Sequence, residues 1–225
     1  MTWRGLRQAS LAIVIVLGAG CASGPPPPDW EITAHGALEA YAQHELEGNR
    51  RLAARDFERA RAAVARTGRA DLLARVELTR CALQVASLEF EPCTGFEALR
   101  EDAPPAERAY AAFLAGRWAE LDAGLLPARY RPIVQSGKAP AAALEALEDP
   151  RSRLIAAGVL FRVGRLAPAG IALATETASA QGWRRPLLAW LKVEIARAQA
   201  AGNRAQAERL ERSVQRVLGA PAPNR

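Results

Sequence analysis

The spacing of apolar residues constrains this chain more than any other feature of its sequence. Ala34, Ala37, Leu38, Tyr41 and Ala42 recur at i, i+3, i+4, i+7 and i+8, the period of one helix face. Gly48-Asn49 follows, and both residues tolerate the positive φ of a tight interhelical turn. Ala53, Phe57, Ala60 and Val64 then resume the same period, so Trp30–Ala65 reads as an antiparallel helix pair. The pattern returns three times. Tyr110, Phe113 and Leu114 precede Gly116, with Leu121 and Leu125 after it and a stop at Pro127. Leu154, Val159, Leu160 and Val163 precede Gly164, with Leu166, Ala169 and Leu173 beyond. Leu187, Leu188, Leu191, Val193 and Ile195 precede Gly202-Asn203, with Ala207, Leu210, Val214 and Leu218 beyond. A chain rich in Ala, Leu and Arg, with 6% aromatics and few β-branched runs, is unsuited to a sandwich or barrel. The fold class expected is all-α.

The turn glycines at 48, 116, 164 and 202 fit a two-helix unit of about 34 residues. The array resembles the tetratricopeptide family, in which a turn glycine is followed by Ala at five, an aromatic at nine and Ala at twelve. Gly48 has the full set in Ala53, Phe57 and Ala60. After Gly202, Ala207 matches, but Glu211 and Val214 stand in the other places; after Gly116, Leu121 and Leu125 replace Ala and the aromatic. The resemblance implies antiparallel hairpins stacked as a short α-solenoid over residues 30–218. The alternative is a generic irregular helical bundle with the same periods. Asp71–Phe90 carries two apolar stripes, as a helix buried between neighbours does. Ala128–Pro140 is the expected loop or distorted unit, Ala196–Leu218 the terminal cap with a polar outer face, and 219–225 a disordered tail.

The first 20 residues read as a signal peptide: Arg4 and Arg7, then the apolar run Leu11-Ala-Ile-Val-Ile-Val-Leu17, too short for a spanning helix, which needs about 20 residues. Gly18-Ala19-Gly20-Cys21 resembles a bacterial lipobox, with Gly18 where Leu is usual. That resemblance implies diacylglyceryl transfer to the Cys21 thiol, cleavage before it and acylation of the new amine, which together anchor the chain durably in a membrane. With Ala22 rather than Asp next, it implies outer-membrane sorting. The alternative is an ordinary secretory signal cut nearby, for instance after Ala22. Ala22-Ser-Gly-Pro-Pro-Pro-Pro28 then forms an extended polyproline tether within residues 21–29.

In an exported chain, Cys81 and Cys93 are a disulfide candidate, with the chain folding back near Phe90-Glu-Pro92. Two free buried thiols are the alternative, and a metal pair is the poorest reading because no CxxC occurs and His35 and His44 are remote. Gly137-Lys138 lacks the glycine and hydroxyl of a phosphate loop, and no nucleophile or nucleotide motif is present. An enzyme, a cofactor and a metal are therefore not expected.

The formal charge of +6 is uneven. Residues 21–103 hold ten basic and fourteen acidic residues; residues 104–225 hold eighteen and ten. Nucleic acid is not an expected partner for an exported chain. The solenoid resemblance implies a concave groove, towards which Tyr41, His44, Arg80, Tyr110, Arg153, Phe161, Trp190 and Arg197 are candidates. Trp183 and Arg184, with Arg185, form a further candidate before Pro186. Each has a core or solvent reading beside the binding one. The function implied is a lipoprotein on the periplasmic face of the outer membrane that acts as a non-catalytic adaptor for envelope proteins. The alternative is a module contacting anionic glycan or lipid through the basic C-terminal half.

Overall fold

A computed structural model describes residues 26–135 and 141–219. The signal peptide, Cys21 and the tail beyond residue 219 lie outside them. Within the described residues all regular structure is helical, as the apolar periods require. The helices are α1 (Asp29–Glu47), α2 (Arg50–Ala65), α3 (Ala70–Ala86), α4 (Thr94–Glu97), α5 (Pro105–Leu114), α6 (Arg131–Gln135), α7 (Ala141–Glu145), α8 (Pro150–Arg162), α9 (Pro168–Ala180), α10 (Arg184–Ala200) and α11 (Arg204–Gly219).

The boundaries follow from local chemistry. Proline occupies the first helical position of α5, α8 and α9, where its missing N–H costs nothing. Asp149 caps α8 by accepting from the Ser152 N–H at 2.9 Å. Gly48, Gly116, Gly164 and Gly202 all adopt positive φ, as the turn reading required. At each, the N–H of the following residue closes back on a carbonyl of the last helical turn, as Asn49 does on His44 at 2.8 Å. Gly182 makes the same turn between α9 and α10, with Trp183 N–H bonded to the Ala178 carbonyl at 3.0 Å.

Hairpins α1/α2, α8/α9 and α10/α11 pack as neighbours, and α3 lies in the middle against α1, α2, α5 and α8. Both stripes of α3 are used: Val76 and Leu83 on one side, Leu78, Cys81 and Val85 on the other are all buried. Alanine makes this close stacking possible. Ala60, Ala74, Ala156, Ala157, Ala174 and Ala178 are at or near zero exposure, so helix axes approach without large side chains between them. Gly158 in α8 goes further: a Cβ there would lie 2.1 Å from the Val85 carbonyl oxygen of α3. Cys81 and Cys93 are joined in a disulfide with Cα atoms 5.8 Å apart, pinning the loop after α3 to its last turns. In the chain-entropy treatment a loop of this length contributes about 3 kcal/mol.

One expectation changes, and two features go beyond the sequence reading. No second helix follows Gly116. Residues 118–130 make three short 3-10 turns, because the Asp122 carboxylate accepts the Gly124 N–H at 2.8 Å and Pro127 blocks propagation. Leu126 and Tyr130 fill the core there, while Leu125 is 40% exposed. The terminal helix α11 packs mainly on α10 and buries only Ala207; Leu210, Val214 and Val217 are half-buried, and Leu218 is 54% exposed. Finally, α1 touches α10, so the first and last hairpins meet across the end of α3.

Candidate functional site

That closure decides where the groove candidates lie. Tyr41 is buried with its ring 5.1 Å from Phe57. Burial raises its hydroxyl pKa, with the Glu45 charge adding to the effect. Trp190 is fully buried, donates its indole N–H to the Ala86 carbonyl at 3.2 Å and meets Phe161 edge-on at 5.7 Å. Phe161 in turn stacks on Phe90. Tyr110 stacks with Phe113 and Tyr130, and desolvation drives its hydroxyl pKa far up. Trp183, for which a core reading stood beside the binding one, is a core residue 6% exposed, and Pro186 sits in the first turn of α10 at its third position. Arg80 lies over the Phe57 ring at 4.6 Å and donates to Glu77 at 2.6 Å. Arg153 ties α8 to the Leu144 carbonyl and to Thr177 of α9. These residues therefore line no common concave face. Their helices turn inward on α3 and α8 because the array is closed. Of the candidates, Arg184 and Arg185 border one open cleft and Tyr110 another.

A second pattern was missed in the sequence. Buried carboxylates link successive helices: Asp56 to His44 at 2.7 Å (α2 to α1), Glu77 to Arg61 at 3.0 Å (α3 to α2) and Glu107 to Arg75 at 2.6 Å (α5 to α3). Glu45 of α1 pairs with Arg185 of α10, whose guanidinium also holds Glu89 in the loop after α3. The signal was available. Glu45 follows Ala34, Ala37 and Tyr41 on the apolar face, where a carboxylate demands a partner from another element. Burial raises the Glu45 pKa, against the lowering pull of Arg185. Leu88 brings Glu89 to this node. It takes φ 59°, the left-handed position usually given to glycine, and the Glu89 N–H closes back on the Gln84 carbonyl at 2.9 Å.

Two surface features result. The first is a cleft of about 540 Å³ where the C-terminal end of α1, the loop after α3 and the start of α10 converge; Ser87, Glu89, Arg184 and Lys192 are among its walls. The second is a groove of about 580 Å³ along α9, α10 and α11, floored by Leu187, Leu191 and Val217 and edged by Glu176, Glu194 and Arg216. Among the described residues, no three His, Cys, Asp or Glu side chains gather as a metal site. Comparison with protein-family models, curated proteins and solved structures returned no match to the chain.

Proposed function

We propose that this chain is a lipoprotein moored to the outer membrane through Cys21, and that its helical domain is a non-catalytic periplasmic adaptor holding a helix of a protein partner along α9, α10 and α11. The groove carries this reading. Its floor is apolar, α11 leaves its own apolar edge half-covered, and Leu218 stands 54% exposed beside it. Glu176 and Glu194 on the rim make no hydrogen bond or ion pair with another described residue. The occupant suited to this surface is an amphipathic helix with an apolar stripe flanked by Lys or Arg. The Cys81–Cys93 bridge suits an oxidising compartment. Pro28, at φ −65° and ψ 152°, delivers the chain to α1 in an extended form fit for a tether. Attachment near one membrane raises the effective concentration of a partner there. No helix among the described residues is long and apolar enough to cross a membrane, so in this reading attachment falls to Cys21.

The test is site-specific photocrosslinking from Val217 of the intact lipoprotein in envelopes. A single protein adduct is expected, lost in Leu187→Glu and weakened in Glu176→Lys/Glu194→Lys while helicity is unchanged. An adduct indifferent to these substitutions would overturn the docking face. Mass spectrometry of the mature N-terminus is expected to find the acylated Cys21; an unmodified end would overturn the anchor.

A further inference from the structure

We infer that the cleft between α1, the loop after α3 and α10 binds the phosphate group of a phosphate monoester, such as a sugar or glycerol phosphate. This goes beyond the adaptor reading and does not depend on it.

The argument is an inventory of which polar groups already have partners. Glu89 is held by Arg185, Glu45 beneath it by the same guanidinium, and Glu47 accepts from Gln43. The carboxylates are spoken for, and so is Arg185. Arg184 and Lys192, which line the same cleft, make no hydrogen bond or ion pair with another described residue, and Arg50 beside them acts on Glu45 through its charge without a hydrogen bond. Two buried donors there also lack an acceptor. Ser87 is 4% exposed and its Oγ has no partner; the Arg184 Nε is likewise buried and unbonded. Native interiors rarely leave such groups unsatisfied, so each calls for an explanation.

Four groups in this cleft can still donate, Arg50, Arg184, Lys192 and Ser87, and three of the four are cationic. An acceptor-only, multiply charged ligand completes it. A guanidinium fork matches two phosphate oxygens, while an ammonium and a hydroxyl serve the others. A volume of about 540 Å³ lies in the range of small-molecule sites, roughly 300–1,000 Å³, so there is room for the group that carries the phosphate. The partnered carboxylates of Glu47 and Glu89 in the walls retain lone pairs for hydroxyls of that carrier. The cleft lies at the Gly48 end of α1, about 28 Å along a helix of 19 residues from the tether at Asp29.

The experiment is calorimetric titration of the full mature lipoprotein, held in phosphatidylcholine nanodiscs, with glycerol 3-phosphate at constant ionic strength. Saturable binding is expected, and glycerol alone is expected not to bind. Arg184→Gln and Lys192→Gln should each weaken binding about tenfold. Lys192 is exposed, so its loss leaves folding intact. Arg212→Gln, on α11, should bind as the native chain does. Absence of saturable binding, equal binding of glycerol, or unchanged affinity in both cleft variants would each overturn the inference. A parallel titration with dibutanoyl phosphatidic acid identifies the source. Tighter binding of that probe assigns the site to a lipid headgroup, and tighter binding of glycerol 3-phosphate assigns it to a soluble ester.

Discussion

Glu45 shows how one residue reports on the tertiary structure. It stands on the apolar face of α1, is 8% exposed, and has Arg185 as its ion-pair partner. Burial disfavours its charged form more than the guanidinium favours it, so its folded pKa is above the ordinary carboxylate value. The native state then binds more protons than the unfolded chain in the window between the two pKa values. Stability must fall as pH rises through that window. Glu45→Gln removes this component while Arg185 keeps Glu89. Urea denaturation across the mildly acidic range is expected to show the native chain losing stability, relative to this variant, as pH increases. Parallel profiles would refute the assignment. The apolar period made Glu45 conspicuous in sequence. Its partner, 140 positions away, was not legible, because no local pattern links α1 to α10.

At the scale of elements, most boundaries were legible because they depend on nearest-neighbour chemistry. Turn glycines, first-position prolines and the Asp149 cap act over three or four residues. Residues 118–130 were misread for the same reason. Leu121 and Leu125 kept the helical period, but the bond from the Gly124 N–H to Asp122 competed locally and prevailed. Close crossings between elements are invisible to such reasoning. Gly158 sits inside α8 like any poor helix former, yet its hydrogen faces the Val85 carbonyl. Gly158→Ala is expected to destabilise the fold by about 1–3 kcal/mol through forced separation of α3 and α8. Gly36→Ala, on an open face of α1 where a Cβ meets nothing within 4 Å, should instead stabilise by about 0.5–1 kcal/mol. Denaturation midpoints moving in opposite directions would bear this out; equal shifts would show that the crossing tolerates a methyl group.

Across the whole molecule, closure of α1 on α10 is the decisive event. In an open solenoid each unit touches only its neighbours, and terminal units fray independently. Here Arg185, Glu45 and Glu89 join the two ends, and Trp190 binds α10 to the end of α3. Trp190→Ala should cost about 3–5 kcal/mol, because the fully buried indole leaves a cavity and an unbonded Ala86 carbonyl. Unfolding of the native chain should be one transition, coincident by circular dichroism and tryptophan fluorescence, apart from fraying of α11. Separate transitions for the N- and C-terminal hairpins would contradict closure. By itself, the sequence determined that this chain is helical and where most of its helices turn, since each follows from contacts a few residues long; it offered Cys81 and Cys93 as a candidate pair, and the fold of the loop after α3 joined them. Only the tertiary structure decided which aromatics are core and which cations remain unused. An apolar period says that a face is covered without saying by what, and the covering elements lie a hundred residues or more away along the chain.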